Sequence, residues 1–274
     1  MAFKAQGLAI MLRPHVSDGK FPASFQGAAM LPVRLTGQIP TPPVGADLTA
    51  VGHGDDGHLY YCKDDDGHRP VRATEQLFTA LADHVNIPTA ATQVIEFNGQ
   101  SLFGSFCHPS TDETEAVRKF ISEKAHDELG GPSRWKGSYF SRLFAFDAFV
   151  GNIDRNGNNL VAYRDGAAIR ILAIDFAAST LLMRPGLDTA LDETSTVKFN
   201  RLMRRIHGLD EDASLEMVAR LESVPLSFIE SVLDRMPPTW LDAGMAQRFL
   251  EFWRDGSRSK RLAKIGAGLK DGTL

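Results

Sequence analysis

A chain of 274 residues, 43% hydrophobic and 23% charged, has ordinary globular composition and the length of one large domain or two lobes, which excludes disordered and fibrous classes. Thirty Lys and Arg against 34 Asp and Glu leave a net charge of −4, so no global field would hold the chain on nucleic acid or anionic lipid, and neither is expected as a partner. The two cysteines, Cys62 and Cys107, cannot build a disulfide framework and read as small buried apolar residues of a protein in a reducing compartment.

No run approaches the roughly 20 apolar residues that a membrane-spanning helix requires. The apolar patch after Gly7 is short and lacks a small-residue cleavage site behind it, so no secretory signal is expected and the expected location is the cytoplasm. The first third is rich in turn residues and β-prone pieces while the rest reads as helix, which predicts two halves meeting near residues 107–112. Residues 37–54 hold four glycines and three prolines and read as a loop leading into a hairpin. Residues 58–63, HLYYCK, have the aromatic character of a strand, with Asp-Asp-Gly-His on both sides at 55–58 and 65–68. His53, His58 and His68 with those aspartates have the donor types of a metal site, but turn chemistry already accounts for them. Leu77, Phe78, Leu81 and Val85 recur at helical spacing before Ile87-Pro88, and Asn98-Gly99 joins two strands at 92–97 and 101–107.

The second half opens at 110–115 with a capped start for a helix expected to run to Leu129 and stop at Gly130-Gly131-Pro132. A strongly apolar helix follows at 139–150. Then come a polar loop at 151–159, a strand at 160–164, the turn Asp165-Gly166 and a buried-type strand at 169–174. From Asp188 the pattern is helical, broken near Gly208, Pro225 and Pro237-Pro238. The six basic residues between Arg254 and Lys270 read as a solvated helix end or loose tail rather than a binding patch.

The chemistry concentrates in Phe149-Val-Gly-Asn-Ile-Asp-Arg-Asn-Gly-Asn-Asn-Leu160 and Ile171-Leu-Ala-Ile-Asp-Phe-Ala177. Asp154 precedes Asn159 by five residues, and Asp175 closes an apolar strand 21 residues after Asp154. Phosphoryl transfer from a metal nucleotide needs such a set: a carboxylate to orient the acceptor hydroxyl and take its proton, and hard oxygen ligands for Mg²⁺. The hairpin between them would let Asn159, or Asn158 beside it, share a metal with Asp175. Upstream, Lys63 ends a strand and Glu75 lies 12 residues on, in the next helix. Each alone reads as a surface residue; in that order they match the pair that holds a lysine on the α- and β-phosphates in kinases. Gly52 and Gly54, in the turn expected at 52–57, would let the backbone approach a nucleotide. No G-x-x-x-x-G-K-[ST] loop occurs, so a P-loop is excluded.

On Gly151-Asn-Ile-Asp-Arg155 with Asn159, Ile174-Asp-Phe176, and the ordered Lys63 and Glu75, the chain resembles the HipA-like serine/threonine kinases, and more distantly the phosphoinositide kinases, over about residues 45–180. It departs from them at Asn156, where histidine or threonine is common, and at Ala177, where glycine is common. The resemblance implies Asp154 as catalytic base, Asn159 and Asp175 as Mg²⁺ ligands and Lys63 on the phosphates of ATP. It also implies a toxin–antitoxin or stress-regulatory setting with an antitoxin or operon partner. The expected fold is α+β and two-lobed, protein-kinase-like, with a β-rich N-lobe at 1–108 and a helical C-lobe at 109–274. The expected activity is ATP- and Mg²⁺-dependent phosphorylation of a protein Ser/Thr hydroxyl. The alternatives are a catalytically silent nucleotide-binding module, an AMP transferase, or a lipid or small-molecule kinase.

Overall fold

The β-prone first third pairs into hairpins that close on themselves. In the computed structural model, which describes residues 31–39, 48–107, 111–112, 114–126, 133–165, 168–186 and 193–274, the strands are β1 (Val33–Gln38), β2 (Leu48–Gly54), β3 (Leu59–Lys63), β4 (Thr92–Phe97) and β5 (Gln100–Cys107). They form a barrel in the order β1-β2-β3-β5-β4, closed by parallel pairing of β1 on β4. Val33, Leu35, Ala50, Tyr60, Cys62, Ile95 and Leu102 fill it. Burial there pushes the Cys62 thiol up to about 12, so that cysteine is an inert core residue, while Cys107 at the barrel's end is only half-buried. Asn98 and Gly99 take positive φ values of 51° and 78°, the two-residue turn their chemistry predicts.

The expected loop at 37–54 is corrected: from Leu48 onward it is strand β2. Its glycines are there because β1 crosses close by. A Cβ on Gly52 would lie 2.1 Å from the Gly37 carbonyl oxygen, and one on Gly54 would lie 2.4 Å from Val33 Cγ1. The actual turn is the three residues 55–57. Helix α1 (Val71–His84) follows and buries Leu77, Phe78 and Leu81.

The remainder adds β6 (Thr111–Asp112), α2 (Thr114–Ser122), α3 (Trp135–Val150), a 3₁₀ turn (Gly157–Asn159), and the hairpin β7 (Leu160–Asp165) and β8 (Ala168–Ala173). Helices α4 (Ser195–His207), α5 (Glu211–Ser223), α6 (Leu226–Asp234), α7 (Ala243–Arg254) and α8 (Ser257–Asp271) complete it. Helix α2 stops at Ser122 rather than Leu129, because Lys136 donates its Nζ to the Phe120 and Glu123 carbonyls at 2.6 and 2.7 Å and satisfies the end of the helix. The expected stop at 130–132, the N-terminal apolar patch, residue 188, and residues 110 and 113 of the expected cap at 110–115 lie outside the described residues.

The basic C-terminal segment is not a loose tail either. Helix α8 buries Leu262, Ile265 and Leu269, and Arg261 donates to the Phe149 and Ala148 carbonyls, closing the end of α3. One core cluster joins α1 to the helical part through Phe78, Phe146, Phe149, Phe176, Trp240 and Phe249, so the largest core does not divide at residue 108. Among the described residues no helix is long and apolar enough to cross a membrane.

Candidate active site

Strand β3 ends at Lys63, whose Nζ stands 2.5 Å from Glu75 Oε1 and 2.9 Å from Asp175 Oδ1. These three side chains come from β3, α1 and the segment after β8, and the lysine bridges 112 residues of sequence. Glu75 is 2% exposed, and its second oxygen accepts the Phe176 backbone N–H at 3.0 Å. One carboxylate therefore holds both the lysine and the residue after Asp175. Burial raises the Glu75 pKa, with the Lys63 charge opposing it. For Lys63 burial acts downward, but the charges of Glu75 and then Asp175 outweigh it, and the ammonium is held above its ordinary range. Asp175 ends lowered: desolvation pushes it up and Lys63 more than compensates. Its side chain stays 38% exposed, so one face of the carboxylate remains open.

Asp175 also has φ of 62°, a left-handed backbone that a non-glycine residue adopts at a cost of roughly 1–2 kcal/mol. Phe176 beyond it is fully buried and packs edge-on against Phe146 at 5.6 Å between ring centroids. Ala177 is buried without a positive φ, so glycine is not required there in this conformation.

The loop that carries Asp154 begins where α3 ends in Gly151, with φ of 67°. Asn152 donates its side-chain amide to Asp147 Oδ1 at 3.0 Å and accepts the Asp154 N–H at 3.1 Å. Thr196, at the start of α4, accepts the Arg155 N–H at 2.9 Å and donates to the Asn152 carbonyl at 2.6 Å. With its backbone pinned this way, Asp154 presents an exposed carboxylate, and among the described residues no side chain pairs with it. Asn156 and Asn159 form a reciprocal cap on the 3₁₀ turn. Asn159 is buried and its carbonyl accepts the Ile174 N–H at 3.0 Å, next to Asp175, whereas Asn158 is exposed.

The residue that sequence reasoning missed is Asp147. Arg155, 1% exposed, forks onto it through Nε at 2.8 Å and Nη2 at 3.1 Å, while Nη1 donates to the carbonyls of Asn159 and Ile174. Burial alone would lower the Arg155 pKa; Asp147 reverses that and raises it. A lone acid inside the otherwise apolar 143–150 run was the available signal, since such a group needs a buried partner.

The structure thus brings Lys63, Glu75 and Asp175 into contact, sets Asn159 one backbone hydrogen bond from Asp175's neighbour, and puts Asp154 on the same loop. Gly52 and Gly54 do not join them. In the register of the β2–β3 hairpin Lys63 pairs with Leu48 and Leu59 with His53, so the 55–57 turn lies at the opposite end, with about 13 Å of strand between Leu59 and Lys63.

Asn159 and Asp175 fit a Mg²⁺ site. Both offer oxygen, the Asn159 Oδ1 spends one lone pair on the Asn156 N–H at 2.9 Å, and the Asp175 carboxylate keeps an open oxygen. Mg²⁺ is commonly held by one or two protein oxygens plus substrate phosphates, so no larger cluster is needed. Among the described residues no group of three or more His, Cys, Asp and Glu could hold a metal, at the histidine-flanked turns or elsewhere.

No protein-family model and no curated protein matches the chain. Among solved structures it is similar to the Helicobacter pylori proinflammatory kinase CtkA, at 14% identity and a TM-score of 0.55, over 87% of this chain and 97% of that one. A second match is HipA of Shewanella oneidensis MR-1, solved in a complex with HipB and operator DNA, at 14% identity and a TM-score of 0.43 over 76% of this chain and 57% of that one. The first agrees with the kinase fold implied by the HipA-like resemblance: a β-rich N-terminal part and a helical C-terminal part, in the fold of the kinase CtkA.

Proposed function

We propose that the chain is an ATP- and Mg²⁺-dependent kinase that phosphorylates a Ser or Thr hydroxyl of a protein. The observation that carries this reading is the Lys63 ammonium held between the buried Glu75 and the partly exposed Asp175, an arrangement that folding alone does not require. In it Lys63 meets the nucleotide phosphates, Glu75 keeps the lysine aimed, and Asn159 and Asp175 hold the metal. Bound Mg²⁺ neutralises charge on the phosphates. Asp154 accepts a hydrogen bond from the acceptor hydroxyl and takes its proton as the oxygen attacks the γ-phosphorus and the bond from that phosphorus to the β,γ-bridging oxygen breaks, releasing ADP. The β2 glycines have no part in phosphate binding here. An antitoxin or other operon partner rests on the family resemblance and belongs to the same reading.

Intact-mass measurement of the purified chain and a serine-bearing protein acceptor after incubation with ATP and Mg²⁺ tests the reading. Addition of 80 Da per site, absent without Mg²⁺, is the expected result. Addition of a nucleotide mass would make it an AMP transferase. ATP binding without any mass change, across protein, lipid and small-molecule acceptors, would make it a silent binding module.

A further inference from the structure

Helix α4 begins at the loop that carries Asp154, because Thr196 bonds both Asn152 and Arg155. From Ser195 to Gly208 the sequence contains no acid, although the whole chain is net negative. Lys198, Arg201 and Arg205 recur at spacings of three and four residues, all exposed, and form one stripe with Leu202, which is 44% exposed. Their only described acidic neighbour is Glu193, itself 73% exposed, which reaches Lys198 at 3.8 Å and Arg201 at 3.4 Å. Such exposed pairs hold little energy and leave these side chains available. Arg205 has no partner among the described residues.

We infer that this stripe docks an acidic segment of the protein acceptor, placing its hydroxyl at Asp154. The inference rests on the kinase reading and names the substrate class for it. At 1.5 Å per residue the stripe runs from about 3 to about 14 Å beyond Thr196, which an extended peptide spans in roughly one to four residues. Glutamates or aspartates within four residues of the acceptor therefore meet Lys198, Arg201 and Arg205 in turn. Three charges over this length are too few for a duplex-binding face, whose phosphate contacts number about 6–10. A stripe with a single exposed leucine lacks the broad apolar face of a helix that lies in a membrane surface.

The probe is a fluorescein-labelled peptide with one serine and glutamates two to four residues from it; its control carries glutamine in their place. Fluorescence anisotropy without nucleotide should show the glutamate peptide binding at least about tenfold more tightly, with the difference lost in 0.5 M salt. The triple variant K198E/R201E/R205E should abolish the preference while melting like the wild type, and R205E alone should weaken it. Equal binding of the two peptides, or a preference that survives charge reversal, overturns the docking site. So does α4-dependent sedimentation with phosphatidylserine vesicles in the absence of peptide binding. A charge-dependent preference with no phosphate transfer to any acceptor leaves the docking site standing and removes the kinase reading instead.

Discussion

Arg155 directs its guanidinium nitrogens beneath the loop it belongs to, two onto Asp147 and one onto the carbonyls of Asn159 and Ile174. Its position couples the two segments that bear Asn159 and Asp175, so it acts on the site by holding others in place. Removing one partner leaves an uncompensated buried charge. Asp147→Asn should therefore cost about 3–5 kcal/mol in denaturant unfolding. A double variant, Asp147→Leu with Arg155→Met, should regain most of that stability yet transfer phosphate poorly, since the guanidinium bridge between the Asn159 and Ile174 carbonyls is gone and only the Ile174 N–H bond to Asn159 remains. Full activity in the stable double variant would reduce the pair to a packing feature. Lys63, Glu75, Asp154 and Asp175 were legible as sequence because each sits at a fixed spacing or at the end of an apolar strand. Asp147 was not, because its meaning depends on a residue eight positions away whose side chain turns back under the loop.

At the level of elements, short-range signals read well and closure did not. Asn98-Gly99 specifies its own turn, and the spacing of Leu77, Phe78 and Leu81 specifies α1. The barrel depends on β1 pairing in parallel with β4, some sixty residues on, and no local pattern announces that contact. Gly52 and Gly54 read as turn residues for a related reason: what demands glycine there is the crossing of β1, and that pairing has no local signature. Gly52→Ala places a Cβ against the Gly37 carbonyl oxygen, and backbone cannot move aside cheaply. It should destabilise the chain by about 1–3 kcal/mol. Nucleotide affinity measured by calorimetry on the folded fraction should stay within twofold. A selective loss of nucleotide binding at unchanged stability would return these glycines to the site. Helix ends were equally hidden: Lys136 and Arg261 close α2 and α3 from other helices, so the lengths of those helices are set by tertiary contacts.

For the whole molecule, stability should depend on pH through two histidines wedged between helices. His84 at the end of α1 stacks on Phe228 of α6 at 4.0 Å, and His207 at the end of α4 stacks on Phe140 of α3 at 5.4 Å. Burial is the first cause that lowers both pKa values in the folded chain. A depressed folded pKa means that the unfolded chain takes up protons first, near 6.5. The stability from these contacts is thus complete above about pH 6.5 and is lost as pH falls through the folded values. Melting temperature should drop by about 2–5 °C between pH 7.5 and 5.5, and less in a His84→Gln/His207→Gln variant; equal slopes would exclude the histidines as the cause. The helical core that these contacts support reaches α1 and so carries Glu75 as well as the Asp154 loop. On the kinase reading proposed above, this frame holds Asp154 as a base for phosphoryl transfer, acting mainly in the transition state. Asp154→Asn, nearly isosteric, should then bind ATP and Mg²⁺ with wild-type affinity in calorimetry while phosphate transfer falls by roughly two to four orders of magnitude. Transfer at a similar rate in wild type and Asp154→Asn would contradict it.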